Sequence, residues 1–404
     1  MTKTNKLTTV AASAALAAVL PAFAGPAPAP EVAAPAPSNN GDWCSGFKTV
    51  GKLYENKDAA FIQSLKFFGR FQWNYAYIDG EDVNGDSFDE SFDEIRRLRF
   101  GSEIKFLNGF KLKGNVNLID DEARAGGGRS YAYQNWDELK LSYSKKDVAG
   151  FDKVGLTYGR HKVAMGHESH TSSKKLKTVE RSALSNKIYD GRWTGFTLDL
   201  ERGNWEGTIG WFSQDETEAL GSLSSGSSFY LSSAWELSGG DLLFDFFHNT
   251  DNEDELVGYD WVASLAYDTK VGDWDLMVNV IYGDNGGSEY QSRPERQGNF
   301  YGIVIMPSTF IIEDKLEFAA SYMYQASEED EGIRAYSRYF RAGAHEGDVN
   351  SGRGDSHHSI YAGLNWYLCG QNSKVQVGVQ YDTLDTPDGD ASATTLWGAY
   401  RMYF

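Results

Sequence analysis

The chain has 404 residues, with 57 acidic against 38 basic side chains and a formal charge of −19. That balance argues against nucleic acid as a partner, because phosphates would be repelled. Forty-three Gly, 23 Tyr, 23 Phe and 11 Trp beside nine Pro suit many short strands joined by turns rather than a helical domain.

Lys3 and Lys6 precede an apolar run from Leu7 to Leu20, and Ala22-Phe23-Ala24 is a small-x-small cleavage site. Residues 1–24 read as an export signal peptide, whose loss takes the charge from −19 to −21 by removing Lys3 and Lys6. No later stretch has the roughly 18 apolar residues of a membrane helix, which leaves a secreted protein, a periplasmic one, or a membrane protein built from strands. Residues 25–60 are expected to form a spacer and N-terminal segment, Pro/Ala-rich to Asn40 and mixed beyond it.

From Phe61 the sequence alternates. Leu65, Phe67, Phe71, Trp73, Tyr75 and Tyr77 take one face, and Lys66, Arg70, Gln72 and Asn74 take most of the other. The pattern recurs near residues 94–107, 110–121, 136–145, 154–163, 192–202, 205–214, 228–237, 241–249, 260–269, 274–283, 299–307, 315–326, 357–368, 375–384 and 394–404, sixteen segments in all. Tight turns such as Asn108-Gly109, Arg202-Gly203-Asn204, Ser238-Gly239-Gly240 and Val271-Gly272-Asp273 alternate with longer polar links. The fold expected over residues 61–404 is all-β: a 16-stranded antiparallel transmembrane β-barrel, one face of each strand for lipid and one for water. The last strand, with Leu396, Tyr400, Met402 and Phe404 on one parity, resembles the closing strand of bacterial outer-membrane barrels. Counting back from Phe404 puts the tight turns in the periplasm and the long links outside. Asp79, Glu81, Asp82, Asp86, Asp89, Glu90 and Asp93 are assigned to the first outer link, and Glu328, Glu329, Asp330 and Glu331 open a later one.

By the same parity Lys66, Arg70, Arg97, Arg99, Lys105, Lys111, Lys113 and Lys140 point into the lumen as a basic wall. Asp199, Glu206, Glu236, Asp245, Asp268, Asp275 and Glu317 form an acidic wall opposite. Together they predict a field across the pore more than a simple anion filter. Cys44 and Cys369 fall on the same, periplasmic side, where an oxidising compartment suggests a disulfide. Asp82, Asn84, Asp86 and Asp93 echo a calcium loop, weakened by Ser87 at the position that wants Gly. His167-Glu168-Ser169-His170 has the wrong spacing for a helical zinc motif, and there is no Gly-x-Ser-x-Gly; no enzyme activity, resident metal or cofactor is expected.

Gly159-Arg160-His161-Lys162-Val163-Ala164-Met165-Gly166-His167-Glu168, then Ser172, Ser173 and Glu180-Arg181-Ser182, resembles the conserved stretch of the phosphate-selective porin O and P family. Arg96-Arg97-Leu98-Arg99-Phe100 and Tyr361-Ala362-Gly363-Leu364-Asn365-Trp366-Tyr367-Leu368 are similar to two further pieces of it, with Ala164 standing where the family has Pro. The resemblance implies a homotrimeric outer-membrane porin, in contact with lipid and lipopolysaccharide, that passes small hydrophilic solutes and favours anions such as phosphate. It also implies that residues 166–191 fold inward, so that Lys174, Lys175, Lys177, Arg181 and Lys187 form an anion-attracting constriction with Arg97, Arg99, Lys111 and Lys113. The alternative from a different class is a secreted or surface β-rich glycan-binding protein.

Overall fold

A strand whose side chains alternate apolar and polar buries one face and wets the other, and many such strands remove every open edge by closing on themselves. The computed structural model describes residues 43–119, 131–188, 191–213, 227–250, 259–286, 293–335, 340 and 347–404. Of the chain's two units, Met1–Ala36 and Pro37–Phe404, the first lies outside the described residues. So do the expected signal peptide and the spacer before residue 43.

Helix α1 (Trp43–Thr49) and the short strand β1 (Lys52–Glu55) come first. Then follow β2 (Ile62–Glu81), β3 (Ser87–Phe106), β4 (Phe110–Asn117), β5 (Asn135–Val148), β6 (Phe151–Lys162), β7 (Arg192–Arg202), β8 (Trp205–Ser213), β9 (Ser227–Leu237), β10 (Gly240–Asn249), β11 (Trp261–Val271), β12 (Trp274–Asp284), β13 (Asn299–Ile312) and β14 (Leu316–Ser327). A two-residue ribbon of β15 (Ile333–Arg334) and β16 (Arg353–Gly354) precedes β17 (Ser356–Tyr367), β18 (Ser373–Thr386) and β19 (Gly389–Tyr403), and helices α2 (His167–His170) and α3 (Ala183–Ile188) lie in the link between β6 and β7. Sequential barrel strands pair antiparallel, β14 pairs with β17, and β19 pairs with β2 from Ser392↔Glu81 to Tyr403↔Arg70, which closes a 16-stranded barrel.

Burial follows parity. In β18, Val375, Val377, Val379 and Tyr381 are exposed on the outside while Gln376 and Asp382 are buried inside. Polar side chains line the interior and aliphatic ones the exterior, the reverse of a water-soluble fold.

Two outer links are shorter than the sequence suggests. Asp79, Glu81, Asp89, Glu90 and Asp93 lie within β2 and β3, paired as Asp79↔Asp89, and the connection is only residues 82–86. The acidic stretch is a strand because Ala76, Ile78, Phe88 and Phe92 supply a buried inner face there, so alternation continues where charge alone suggested a loop. Strands β18 and β19 extend likewise, leaving residues 387–388 between them.

At the other end of the barrel residues 51–55 and the C-terminal Phe404 lie on one edge of β2. Phe404 and Gly69 exchange backbone hydrogen bonds at 3.2 and 3.3 Å, and Phe67 N then donates to Gly51 O at 2.7 Å before β1 takes over opposite Lys66. Gly69 leaves room for the Phe404 ring, which would sit 2.5 Å from a Cβ at this position. Cys44 in α1 is disulfide-bonded to Cys369 in the turn between β17 and β18, with Cα atoms 5.3 Å apart and a sequence separation of 325.

The opposite, loop-bearing half of the lumen holds an apolar core. Ala76, Ile78, Phe88, Phe92, Leu384 and Trp397 from the wall pack with Ile333, Phe340 and Val349 of the β14–β17 link, and Phe300 and Val304 pack with Leu184 and Ile188 of α3. What remains open for solute is decided by where the β6–β7 link lies.

Candidate functional site

The link of residues 163–191 turns into the barrel and is stapled at its neck. The Glu168 carboxylate accepts from Ser182 N at 3.1 Å, from Ser185 Oγ at 2.7 Å and from Ser182 Oγ, while Arg181 Nε and Nη2 donate to the carbonyls of Glu168 and Thr171 at 2.7 and 2.8 Å. These bonds give a structural meaning to the spacing of Glu168 from Arg181-Ser182: one carboxylate orders the start of α3 and holds together the two ends of a lumen-crossing segment.

That segment is held to the barrel largely through its own carbonyls. Gln72 Nε2 donates to Ser173 O at 3.0 Å, Lys374 Nζ to Leu176 O at 2.7 Å, Asn365 Nδ2 to Lys177 O at 2.9 Å, and Arg401 Nη2 to Val179 O. Arg401 and Lys374 are fully buried.

The acidic wall is where the link docks. Asp245 receives Gly166 N at 2.9 Å and faces His170 Nε2 at 3.0 Å; Asp268 lies 3.0 Å from His167 Nε2. Lys177 Nζ reaches Asp275 at 3.1 Å and Glu317 at 3.7 Å. Asp199 accepts the Thr208 hydroxyl at 2.8 Å, and Glu206 and Glu236 sit beside the tight turns of β7–β8 and β9–β10.

This placement corrects the expected constriction. Lys177 is bound to carboxylates, Arg181 holds the neck, and Lys187 donates to Asn285 Oδ1 at 2.6 Å and Gly332 O at 3.3 Å beside the core. Lys175 is exposed outside the cavity lining. Of the five link cations Lys174 and Arg181 line the passage; Arg181 is bound to the neck carbonyls, while Lys174 has its Nζ 4.2 Å from the Tyr403 ring centroid. Parity identified which residues point inward; it could not show that the link would lie across one wall and leave the other bare.

The bare wall is the basic one. A cavity of about 990 Å³ runs along β2–β7, from Phe47, Gly51, Lys52 and Phe404 at the turn end to Asn117, Gln134, Asn135 and Gly191 at the loop end. Its lining has eleven basic side chains, Lys52, Lys66, Arg70, Arg96, Arg97, Arg99, Lys113, Lys162, Lys174, Arg181 and Arg192, against the carboxylates of Glu103, Asp137 and Glu138. Lys140 lies just behind, 3.5 Å from Glu138, while Lys105 and Lys111 pair across β3 and β4 near the turn end, outside the lining.

Two β-bulges explain what parity missed. The register between β2 and β3 slips at Gln72/Trp73, and that between β4 and β5 at Asn115/Val116. Each slip lets two consecutive side chains face inward. The first adds Arg96 to Arg97. The second adds Asp137 to Glu138. Asp137 then accepts from Arg99 at 2.9 Å, Arg192 at 3.0 Å and Asn115 at 2.7 Å, and Glu138 from Lys113 at 2.5 Å. Lys66, Arg70 and Lys174 have no carboxylate partner among the described residues; Arg70 donates to Ser173 Oγ at 2.6 Å. Burial, with the charges of Arg70, Lys113 and Lys175, pulls Lys174 down to about 8.

The residues that echo a calcium loop are engaged in other contacts. The Asp82 carboxylate accepts the backbone N–H groups of Asn84, Asp86 and Asp348 at 2.8, 2.9 and 2.8 Å, and Asp93 stands in β3 opposite Tyr75. The bonds from Asp348 and Asp86 hold Asp82 below its ordinary range. Its oxygens serve to fasten the β14–β17 link to the tip of the first hairpin. No cluster suited to a metal ion occurs among the described residues.

Residues 65–243 match the family described as phosphate-selective porin O and P. No curated protein matches the chain. Among solved structures it is similar to the outer membrane protein OmpT of Vibrio cholerae, both as a loop L8 deletion mutant (TM-score 0.57, 12% identity, 84% of this chain and 99% of that one) and in a trimer form (0.50, 11%, 84% and 99%). It is also similar to the outer membrane channel DcaP of Acinetobacter baumannii (0.53, 15%, 87% and 100%) and to an anion-selective porin from Comamonas acidovorans (0.52, 12%, 84% and 99%). At these identities the structural likeness speaks for the fold.

Proposed function

We infer from this family match, the barrel and its lining that the chain is an outer-membrane porin, a water-filled channel through which small hydrophilic solutes and ions diffuse, with a preference for anions such as phosphate. The observation that carries the anion preference is the division of labour between the walls. The link masks the later acidic wall, and the remaining passage presents eleven cations to three carboxylates. A narrow passage with low-dielectric walls focuses such a field and concentrates the opposite charge.

The glycan-binding alternative finds no support on the outside of the barrel. Ile360, Leu396 and Val377 are 54%, 51% and 48% exposed there, apolar rows suited to lipid rather than to water or sugar. This reading puts the tight turns and the disulfide in the periplasm and the β14–β17 link outside, with lipid and lipopolysaccharide around the wall. It assigns the chain no catalytic step. Like the trimer form of OmpT, three copies assemble; cross-linking of purified protein in detergent tests this, and a monomer alone would refute it.

Planar-bilayer recording under a KCl gradient tests the function. A reversal potential of the chloride sign is expected, with chloride current reduced by added phosphate. A potassium-sign potential would overturn the anion reading, and no conductance would overturn the channel.

A further inference from the structure

One carboxylate of the lumen-crossing segment binds an arginine that lines the basic passage. Glu180 Oε1 accepts from Arg96 Nε and Asn74 Nδ2, both at 2.8 Å, and Oε2 lies 3.4 Å from Arg96 Nη2. The paired arginine is the extra residue that the β3 bulge turns inward. Arg97 and Arg401 lie near enough for their charges to act on the same carboxylate, which they and Arg96 keep ionised against the opposing effect of burial.

The chemistry of this arrangement is that of an oxyanion site. A forked guanidinium donates in parallel to two oxygens, an amide N–H₂ adds a third bond, and two more guanidiniums stand around them. Phosphate, sulfate and carboxylates present the same two-oxygen edge. Arg96 and Arg97 line the passage, so an anion entering along it meets guanidiniums whose strongest position is already occupied by the chain. Asp137 and Glu138 differ in kind: they sit on the barrel wall and neutralise wall cations, whereas Glu180 belongs to the docked segment and can be withdrawn only with it.

We propose that Glu180 is a tethered counter-anion, a built-in occupant of the oxyanion position formed by Arg96, Arg97 and Asn74, which keeps transported oxyanions from lodging there and so keeps the passage conducting. The proposal rests on the anion-porin reading and adds to it the residue that sets how tightly the passage holds its solute. Removing the charge exposes an empty site of high positive potential. Transport of monovalent anions continues, while oxyanions bind and block.

The test is the concentration of inorganic phosphate that halves chloride current in the wild type, E180Q, E180A and the double variant R96Q/E180Q, each first shown to migrate as a folded barrel. In E180A the half-blocking concentration is expected to fall at least tenfold. Formate, which is small enough to fill the vacated position, is expected to raise it again. E180Q, which keeps the shape and loses the charge, should show the same direction of change, and R96Q/E180Q should return towards the wild type. A purely structural Glu180 would alter conductance in E180A with phosphate sensitivity unchanged, which overturns the proposal, as does block that is indifferent to formate. A wild-type channel that prefers potassium overturns the parent reading and this one together; an anion-preferring wild type with unchanged variants overturns this one alone.

Discussion

Lys174 is the residue whose charge state is most open to control. It lies between Arg70 and the Tyr403 ring without a carboxylate partner among the described residues, and it is drawn down to about 8 by burial first and by the Arg70, Lys113 and Lys175 charges next. A lysine with a lowered value is charged below it and loses its proton as pH rises through it, so anion preference should decline between about pH 7 and pH 9. One unit charge about 6–12 Å from an ion in the conduction path, at an effective dielectric constant of about 40, shifts that ion's energy by about 0.7–1.4 kcal/mol, on the order of threefold to tenfold in its partitioning. K174Q should abolish the pH dependence while lowering the chloride-to-potassium ratio at pH 7. A reversal potential flat from pH 7 to 9 in the wild type would remove Lys174 from the passage. The residues that parity could find, Lys66, Arg70, Arg97, Arg99 and Lys113, line the cavity. Arg96 and Asp137 escaped because a bulge adds one residue to one strand and flips the count locally, and nothing in a single sequence marks where that happens.

At the scale of elements, the β6–β7 link matters most. Its described residues carry only the short helices α2 and α3, and its position depends on one buried carboxylate at the neck and on wall donors that seek its carbonyls. Glu168→Ala removes acceptors for Ser182 and Ser185, at a cost of about 2–4 kcal/mol to the ordered link. Single-channel recording should then show larger conductance with added flicker, and Glu168→Gln a milder form of both; a quiet, wild-type-sized current in Glu168→Ala would show that the neck does not hold the constriction. The strands themselves were legible because period-two alternation needs nothing beyond the sequence. Their ends were less so. Charge at Asp79, Glu81 and Asp89 suggested a loop, yet Ile78 and Phe88 found an apolar interior to fill, one supplied by residues of the β14–β17 link that sequence order separates by more than two hundred positions. Which wall the link would cover was equally hidden, since His167, His170 and Lys177 reveal their partners Asp268, Asp245 and Asp275 only when the barrel has closed.

The barrel is a closed sheet whose first and last strands, β2 and β19, pair with each other, and α1 and β1 lie beside that seam. Strand β1 continues along the β2 edge where Phe404 ends, and the Cys44–Cys369 bond ties α1 to the turn before β18. A bond closing so long a stretch of chain stabilises by about 2–5 kcal/mol. Reduction, or Cys44→Ser, should therefore lower the temperature at which the folded band converts to the unfolded band on a gel, with no further effect of reductant on the variant; identical midpoints in oxidised and reduced protein would contradict this.

The central claim is that solute moves along the basic wall of β2–β7 because the link has covered the acidic one. The most direct test is the reversal potential under a KCl gradient for two double variants, R70Q/K174Q lining the open passage and D275N/E317Q beneath the docked link. The account predicts a several-fold loss of anion preference in the first. In the second, where Lys177 loses both carboxylates, the preference should hold or rise. An R70Q/K174Q channel with wild-type anion preference, or a change confined to D275N/E317Q, would place the conduction path on the far wall and contradict it.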